Sequence, residues 1–277
     1  MSKQIRAKPI SYFIKKDNEL TKAEFYDMTV TAYRIILLAA SDKFINSVRE
    51  DPLATIYITP ADYHDVFGTG SDNSPAYRAL INSQTELLNA KLWKNKTKAN
   101  VEGVWKGGIN WLSKAYYNEE ISCLEIRFTP DIIPLILDVQ KNYTYYNLRN
   151  IAKLNSMHSI RLYELMMFWR KKGATPALSI PYVRTWLGVK DGLHEELKFF
   201  NRDVIKKSVI EITKKTDIAL ECIMQKEGKS TVGYMFKYTP KITQIDGDGN
   251  DESYTQGKAP GNFPPSDKAD DDAELPF

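Results

Sequence analysis

The chain has 277 residues, of which 43% are hydrophobic and 26% charged, and it contains only two cysteines. This length predicts two domains with cores of their own, and this composition excludes a chain that is disordered throughout. No apolar stretch reaches the roughly 18 residues of a membrane span, no secretory signal is recognisable, and no disulfide framework is expected, so we expect a cytoplasmic protein.

Charge is unevenly distributed along the chain. Residues 241–277 carry nine acidic side chains against three lysines, a net charge of −6, which leaves +9 for residues 1–240. A basic body with an acidic tail is typical of a nucleic-acid-binding protein with an interaction tail. The tail is rich in Gly, Asp, Pro, Asn and Ser and lacks apolar periodicity, so we expect residues 241–277 to be disordered.

The first elements are a basic arm, residues 1–17, with one short strand at residues 10–14, and then a set of helices and strands. These elements are expected in the following order: a helix at residues 30–40, a strand at 55–58, a helix at 60–67, a longer helix at 74–90, and strands at 92–93, 108–117 and 121–128. The short helix is predicted with particular clarity, because Pro60 suits its first turn and Gly68 its end.

The same order of elements recurs in the second half of the chain. The expected elements are a helix at residues 162–172, a strand at 177–180, a helix at 181–187, a long helix at 195–215, and a hairpin of strands at 218–225 and 233–238. Helix, strand, helix, helix and hairpin is the order of a winged helix, in which the last helix enters the major groove of DNA and the hairpin, or wing, rests on the backbone.

The sequence therefore predicts an α+β fold of two tandem winged helices with a disordered acidic tail. We expect the first winged helix at residues 18–142 and the second at residues 143–240. A shift of 124 positions aligns Tyr77-Arg78 with Asn201-Arg202. Because any two amphipathic helices can be aligned in this way, the internal match alone leaves a chance likeness open.

The long helix of the second half carries the main candidates for DNA contact. Its buried stripe is expected to consist of Leu197, Phe200, Val204, Ser208 and Ile212. The candidates on or beside the opposite face are Lys198, Asn201, Arg202, Lys206 and Lys207. Arginine can bond bidentately to guanine and asparagine to adenine, and residues near the start of the helix are best placed to reach bases. A solvated helix face is the alternative.

The first half offers a smaller set of candidates on its longer helix: Tyr77, Arg78 and Asn82. A basic segment follows, with Trp93 and Trp105 interleaved among its lysines. The lysines proposed to contact phosphates are Lys94, Lys96, Lys98 and Lys106. Such contacts anchor a protein on DNA without reading sequence. The alternative is a lysine-rich hairpin that only protects a sheet edge.

Motifs for catalysis are weak. The three histidines, His64, His158 and His194, form no metal-binding pair, and we expect neither a metal nor a cofactor. Gly228-Lys229-Ser230 lacks the preceding glycine of a phosphate-binding loop and is interpreted as a hairpin turn. Tyr143, Tyr145 and Tyr146 are interpreted as packing residues between the domains. The sequence thus predicts a protein that binds rather than an enzyme.

Three runs in the second half have a familiar pattern. They are Ser159-Ile-Arg-Leu-Tyr-Glu-Leu165, Ile180-Pro-Tyr-Val-Arg-Thr-Trp-Leu-Gly188, and Phe200-Asn-Arg-Asp-Val-Ile-Lys-Lys-Ser-Val-Ile-Glu-Ile212 with Lys215-Thr-Asp-Ile218. These runs resemble the second winged helix of plasmid replication initiators of the RepB type, the iteron-binding initiators. Tyr33-Arg-Ile-Ile-Leu37 resembles the opening helix of their first. Ser208 departs from the pattern, because a small apolar residue is expected there.

The resemblance implies several functions that the periodicity alone does not. Members of this family bind directly repeated sites, or iterons, at a plasmid origin, promote origin melting, recruit the host helicase machinery, and commonly dimerise through the first domain and repress their own gene. We therefore expect double-stranded origin DNA, a second copy of the chain and host replication proteins as partners. We expect a dimer on inverted repeats and a monomer on direct repeats.

The end of the sequence provides a separate motif. Its residues are Asp270, Asp271, Asp272, Leu275, Pro276 and Phe277, and they resemble the acidic Pro-Phe tip of bacterial single-stranded-DNA-binding proteins. A terminal phenylalanine ring can fill an apolar pocket while the aspartates meet a basic rim. We expect this tip to bind a host replication protein that normally receives such a tail. A tail that only aids solubility, or one that covers the basic DNA face, is the alternative.

The combined expectation is a non-catalytic, sequence-specific initiator of plasmid replication. Its second domain is expected to supply base recognition and its first domain phosphate contacts and dimerisation. Two alternatives remain: a winged-helix transcriptional regulator without a replication role, and an adaptor that uses its tail to hold replication proteins. Directly repeated sites beside the gene would favour the initiator, and a lone inverted repeat at the promoter would favour the regulator.

Overall fold

The computed structural model describes residues 12–23, 28–93, 96–97, 104–105, 107–137 and 139–241. The acidic tail and most of the basic arm lie outside these ranges. The chain begins with a strand and a short helix, β1 (Phe13–Asp17) and α1 (Asn18–Lys22). The expected strand thus lies three residues later than the sequence predicted.

The first winged helix, called the first unit below, contains most of the strands. Its elements are α2 (Val30–Ala39), α3 (Ile45–Glu50), β2 (Ile56–Ile58), α4 (Pro60–Phe67), α5 (Ser74–Asn82), α6 (Gln84–Asn89), β3 (Lys91–Trp93), β4 (Lys96–Thr97), β5 (Val104–Trp105), β6 (Gly108–Asn110), β7 (Leu112–Asn118) and β8 (Cys123–Phe128). The strands form an antiparallel sheet in the order β2-β8-β7 and a hairpin in which β3 pairs with β6 and β4 with β5. The β7-β8 hairpin, flanked by β2, is the wing of the first unit, and the hairpin of β3 to β6 precedes it in the chain.

A connecting region separates the two units. It consists of α7 (Ile133–Ile136), β9 (Tyr143–Asn147), a 3₁₀ turn (Leu148–Asn150) and α8 (Met157–Phe168). Strand β9 pairs antiparallel with β1, with Phe13 opposite Asn147 and Asp17 opposite Tyr143. The start of the chain therefore packs on the region between the units. In both strands buried and half-buried residues alternate, so one face of the ribbon covers the core.

The second winged helix, called the second unit below, is smaller. Its elements are β10 (Leu178–Ser179), α9 (Ile180–Trp186), α10 (Leu197–Phe199), a π-helical stretch (Phe200–Lys206), α11 (Lys207–Lys215), β11 (Ile218–Glu227) and β12 (Ser230–Pro240). The last two strands form the wing, and β10 pairs with the outer side of β12. The predicted tandem of winged helices is confirmed.

Local sequence explains where several helices begin. Thr59 caps α4: its hydroxyl accepts a hydrogen bond from the Asp62 backbone N–H, and the Asp62 carboxylate accepts one from the Thr59 N–H in return. This capping box satisfies two backbone donors that a helix start leaves unpaired, and Pro60 needs no donor there. Ser179 caps α9 with a single hydrogen bond, which its hydroxyl accepts from the Tyr182 backbone N–H, and Pro181 lies in the first turn.

The prediction of one longer helix at residues 74–90 is wrong, because the structure has two helices there. The break falls at Ser83, a buried residue whose hydroxyl donates to the carbonyl of Leu80 at 3.0 Å. Serine competes for backbone hydrogen bonds in this way, and the competition interrupts helices. Apolar periodicity does not register such a break.

The apolar core runs without interruption from the first unit through α8 into the second unit. Three charged side chains are buried inside it: Lys16, Arg161 and Glu164. Burial acts to raise the pKa of Glu164, but Lys16 and Arg161 beside it outweigh burial and hold that pKa below its usual value. Glu164 is therefore an ionised carboxylate in the protein interior. Within the described ranges, no helix has the length and apolar character to cross a membrane.

One glycine lies where two strands come unusually close. A Cβ atom at Gly233 would overlap the backbone carbonyl oxygen of Leu178, on the neighbouring strand β10. We expect Gly233→Ala to cost about 1–3 kcal/mol of unfolding free energy, because a backbone atom must shift to admit the methyl group. Urea unfolding measures this cost. Gly107→Ala is the control, since a Cβ there meets no atom of the described residues within 4 Å; equal stability of the two variants would contradict the prediction.

Candidate nucleic-acid interface

The helix at residues 197–215 presents one apolar and one charged face, and it is called the recognition helix below because it is the last helix of its winged helix. Of the expected stripe, Phe200, Val204, Ser208 and Ile212 are buried, and Leu197 is half-buried against the core. Ser208 is thus a buried polar residue at the position where an apolar one was expected. The buried stripe fixes which side chains face outward.

The middle of this helix is wound more loosely than an α-helix. Residues 200–206 form a π-helical stretch, and within it both Val204 and Ile205 are buried. The wider turn lets two consecutive residues contact the core. Stretches of this kind occur frequently at functional sites, and this one lies where the sequence placed the base-reading residues.

Four of the five candidates on this helix are exposed: Lys198, Arg202, Lys206 and Lys207. Two of them pair with Asp203. Arg202 Nη2 lies 2.6 Å from Asp203 Oδ2, and Lys207 Nζ lies 2.8 Å from Oδ1. Hydrogen bonds from these two cations hold the pKa of the Asp203 carboxyl well below its usual range. The exposed face therefore keeps a net positive charge, with one fixed carboxylate between Arg202 and Lys207.

Asn201 is placed differently from the other candidates. It is half-buried, and its Oδ1 accepts a hydrogen bond from the hydroxyl of Tyr234, a buried residue on β12 of the wing. The side chain thus connects the helix to the wing. Bidentate recognition of adenine uses the same oxygen, so Asn201 could read a base in this manner only if Tyr234 released or shared it.

On the first unit, the candidates divide between packing and exposure. Tyr77 is half-buried, and its ring meets that of Tyr117 edge-on at 5.6 Å between centroids. Arg78 and Asn82 are exposed one turn apart on α5. Only Arg78 and Asn82 are therefore presented to an approaching ligand as the sequence predicted.

The described part of the expected basic segment lies on the hairpin that precedes the wing of the first unit. Lys96 lies on β4, opposite Trp105 on β5, although its side chain is not among those described. Lys94, Lys98 and Lys106 lie outside the described residues. The phosphate contacts expected of these lysines therefore stay a prediction.

Two lysines on the wing of the second unit are further candidates, which helix spacing did not indicate. Lys226 and Lys229 are exposed at the tip of the β11-β12 hairpin, where Gly228 adopts the positive φ of +60° that the turn requires. The Gly-Lys-Ser turn was their signal, because a hairpin turn that follows the last helix of a winged helix is the tip of the wing, which rests on the DNA backbone in this fold.

Two of the three histidines are bonded to the backbone. His64 Nε2 and His158 Nδ1 each donate to a backbone carbonyl, that of Gly70 at 2.9 Å and that of Leu187 at 2.7 Å. Burial lowers the pKa of His158. Among the residues that the structure describes, no three His, Cys, Asp or Glu side chains are placed to hold a metal ion.

Both units match known domain families. Residues 13–167 match Initiator Replication protein, WH1, and residues 180–238 match Initiator Rep protein, WH2. The fold is similar to that in the crystal structure of Pi initiator protein in complex with iteron DNA, with a TM-score of 0.65 at 21% identity; the match covers 84% of this chain and 99% of that one.

Relatives in Escherichia coli include three proteins of low identity. An uncharacterized 27.6 kDa protein is 22% identical over 239 residues, which cover 82% of this chain and 95% of that protein. The PI protein is 28% identical over 163 residues, which cover 53% of this chain and 52% of its own length. A replication initiation protein is 24% identical over 231 residues, which cover 80% of this chain and 68% of that protein.

The resemblance that the sequence motifs indicated is therefore confirmed on both winged helices. Because the WH1 match alone spans more than half of the chain and the WH2 match follows it in the expected order, this chain belongs to the family of initiator replication proteins.

Proposed function

We propose that the protein initiates plasmid replication by binding directly repeated sites, or iterons, at the plasmid origin. The observation that carries this proposal is the exposed cationic face of residues 197–215 beside a wing, in a chain with the two winged helices of initiator proteins. The similar fold of the Pi initiator protein, whose solved complex contains iteron DNA, supports the same ligand.

The two units take different roles in this proposal. The second unit reads bases through Lys198 and Arg202, which lie near the start of the helix, while Lys206, Lys207 and the wing tip neutralise phosphates. The first unit anchors the protein through Arg78, Asn82 and the basic hairpin that precedes its wing. Binding on bacterial plasmid DNA, without catalysis, then promotes origin opening.

Two further properties belong to the same proposal. The chain forms a dimer through its first unit and represses its own gene on an inverted repeat, whereas the monomer binds direct repeats. A transcriptional regulator would use the same interface, so the DNA decides between the two functions. Footprinting across the DNA around the gene tests this: several direct repeats, each protected over about two helical turns, support the initiator, and protection of a promoter repeat alone supports the regulator.

Arg202 is the sharpest single test of base reading. We expect Arg202→Ala to cost about 1–3 kcal/mol of binding free energy at the native site and to relax discrimination at one base pair, because a bidentate contact to guanine is lost. Fluorescence anisotropy on native and single-substituted duplexes measures both effects. Lys96→Ala is expected instead to weaken all sequences alike and to flatten the salt dependence.

Arg202→Lys serves as the matched control, since it keeps the positive charge but not the planar pair of donors. It should preserve the salt dependence of binding and still lose discrimination at the same base pair. Identical behaviour of Arg202→Ala and Lys96→Ala would contradict the division of roles between the two units.

Asp203 provides a second test, on charge. Asp203→Asn removes the carboxylate that pairs with Arg202 and Lys207 on the exposed face. We expect tighter binding to non-specific duplexes and a salt dependence steeper by about one released counterion, because one more cation is available to a phosphate. Glu50→Gln, the same charge change at an exposed position on α3, should leave both quantities unchanged. An equal rise of non-specific affinity in Glu50→Gln would show that any lost negative charge has this effect, and it would contradict the role of Asp203.

The acidic tail is proposed to recruit host replication proteins. Its Pro-Phe tip suits an apolar pocket with a basic rim, as in proteins that receive the tails of single-stranded-DNA-binding proteins. Deletion of Pro276 and Phe277 should abolish the capture of such proteins in pull-down assays. Phe263→Ala, which alters another aromatic residue of the tail, should leave capture intact. Unchanged recovery after the deletion would refute this role, and tighter DNA binding at low salt would indicate a tail that covers the DNA face.

A further inference from the structure

Helix α8 lies between the two units and carries a buried carboxylate. Glu164 Oε1 accepts three hydrogen bonds: from Lys16 Nζ at 2.6 Å, from the Tyr33 hydroxyl at 2.7 Å and from the Tyr146 hydroxyl at 2.6 Å. The three donors come from β1, α2 and β9. One oxygen atom thus attaches α8 to three separate elements on the first-unit side.

Arg161, one turn earlier on α8, extends this cluster toward both units. Its Nη1 donates to Glu164 Oε2 at 2.8 Å, and its Nη2 donates to the carbonyl oxygens of Thr21 and Ala23 at the end of α1. Its Nε donates to the Trp186 carbonyl on α9 at 3.2 Å, and the Trp186 indole N–H donates back to the Arg161 carbonyl at 3.1 Å. The Arg161 side chain therefore donates hydrogen bonds to elements on both sides of α8, to α1 on one side and to α9 on the other.

Other residues of α8 attach it to the second unit. The Tyr163 hydroxyl donates to Asp217 Oδ1 at 2.9 Å, directly after the end of the recognition helix. His158 donates to the Leu187 carbonyl after α9. The orientation of α8 thus determines the orientation of the recognition helix.

The charges of the cluster make its geometry strict. Lys16, Arg161 and Glu164 are almost completely buried, with 1%, 0% and 0% of their surfaces exposed. Buried charges repay their desolvation only when their hydrogen bonds are well formed, and no solvent can replace a lost bond. Two apolar surfaces can slide slightly against each other and stay packed, whereas these directional hydrogen bonds are all formed in one arrangement of α8.

We propose that Lys16, Tyr33, Tyr146, Arg161 and Glu164, here called the hinge cluster, fix the distance and angle between the two DNA-binding units and thereby set the spacing of the DNA site that the protein accepts. These are positioning residues, because they act through the two recognition surfaces. The proposal rests on the proposed function in that both units contact one duplex.

The size of the effect follows from the shape of DNA. One inserted base pair moves one half of a site about 3.4 Å along the axis and rotates it by about 35°. A rigid pair of units cannot follow this change, whereas a loosened pair can. The contribution of the second contact is lost when geometry forbids simultaneous binding.

The experiment measures spacing tolerance with the full-length protein. The DNA is the site found by footprinting and its derivatives with one base pair inserted or removed between the two protected halves. We expect the wild-type protein to lose at least about tenfold in affinity on a changed spacing. The double variant Tyr33→Phe, Tyr146→Phe removes two donors to Glu164 but keeps both rings, and we expect its loss to be less than about threefold. Glu164→Gln should likewise lose less affinity than the wild-type protein when the spacing is changed.

The control is Tyr63→Phe, which removes the hydroxyl of a buried tyrosine inside the first unit. It should retain the spacing preference of the wild-type protein. Circular dichroism verifies that each variant is folded, and if Glu164→Gln does not fold, the tyrosine variant decides. A merely structural cluster would lower stability and overall affinity while the ratio between spacings stayed constant.

The outcomes separate this inference from the proposed function. A footprint in which both units protect DNA, with equal spacing preference in wild-type and cluster variants, overturns the hinge cluster and leaves the function intact. A wild-type protein that protects both halves at every spacing overturns it as well. A footprint from one unit alone contradicts the two-unit contact of the proposed function, and the inference fails with it.

Discussion

The ionised carboxylate of Glu164 is the constraint on which the architecture depends. It lies in a continuous apolar core, and it can remain charged there only because Lys16, Arg161 and two tyrosine hydroxyls surround it. These partners come from four different elements, so the carboxylate is satisfied only after α2, the β1-β9 ribbon and α8 have assembled. Two winged helices that could otherwise have been joined by a flexible linker are thereby packed on one shared helix.

The two units repeat an order of elements but not a recognition surface. In the first, Ser83 interrupts the helix that follows α4, and Tyr77 turns toward Tyr117. In the second, the corresponding helix continues through a π-helical stretch and presents four cations. A long, charged helix suits a major groove, while a short helix with a basic hairpin suits the phosphate backbone. In the function proposed above, the duplication thus supplies two kinds of DNA contact.

Periodicity and capping residues predicted most of the fold from sequence. The tandem order, the helix start at Thr59 and Pro60, and the buried stripe through Phe200 and Ile212 all follow from local rules. The pairing of β1 with β9 joins residues about 130 positions apart, and no local pattern indicates it.

The candidate site was less predictable for the same reason. Arg161 and Glu164 stood in a motif that indicated the family, but their partners are distant in sequence, so their burial could not be foreseen. The engagement of Asn201 by Tyr234 depends likewise on how the wing folds back. Charge on a helix face can be read from spacing, whereas the partner of each side chain requires the tertiary fold.

The bond between Tyr234 and Asn201 has a consequence for the DNA itself. It couples the wing to the helix at a position near its start, so the two cannot adjust independently to the duplex. Groove width and bendability vary with base composition, and a wing resting on the backbone senses both. A change of groove shape under the wing would therefore shift the position of the helix in the major groove. The protein would then prefer particular base pairs at positions that no side chain touches.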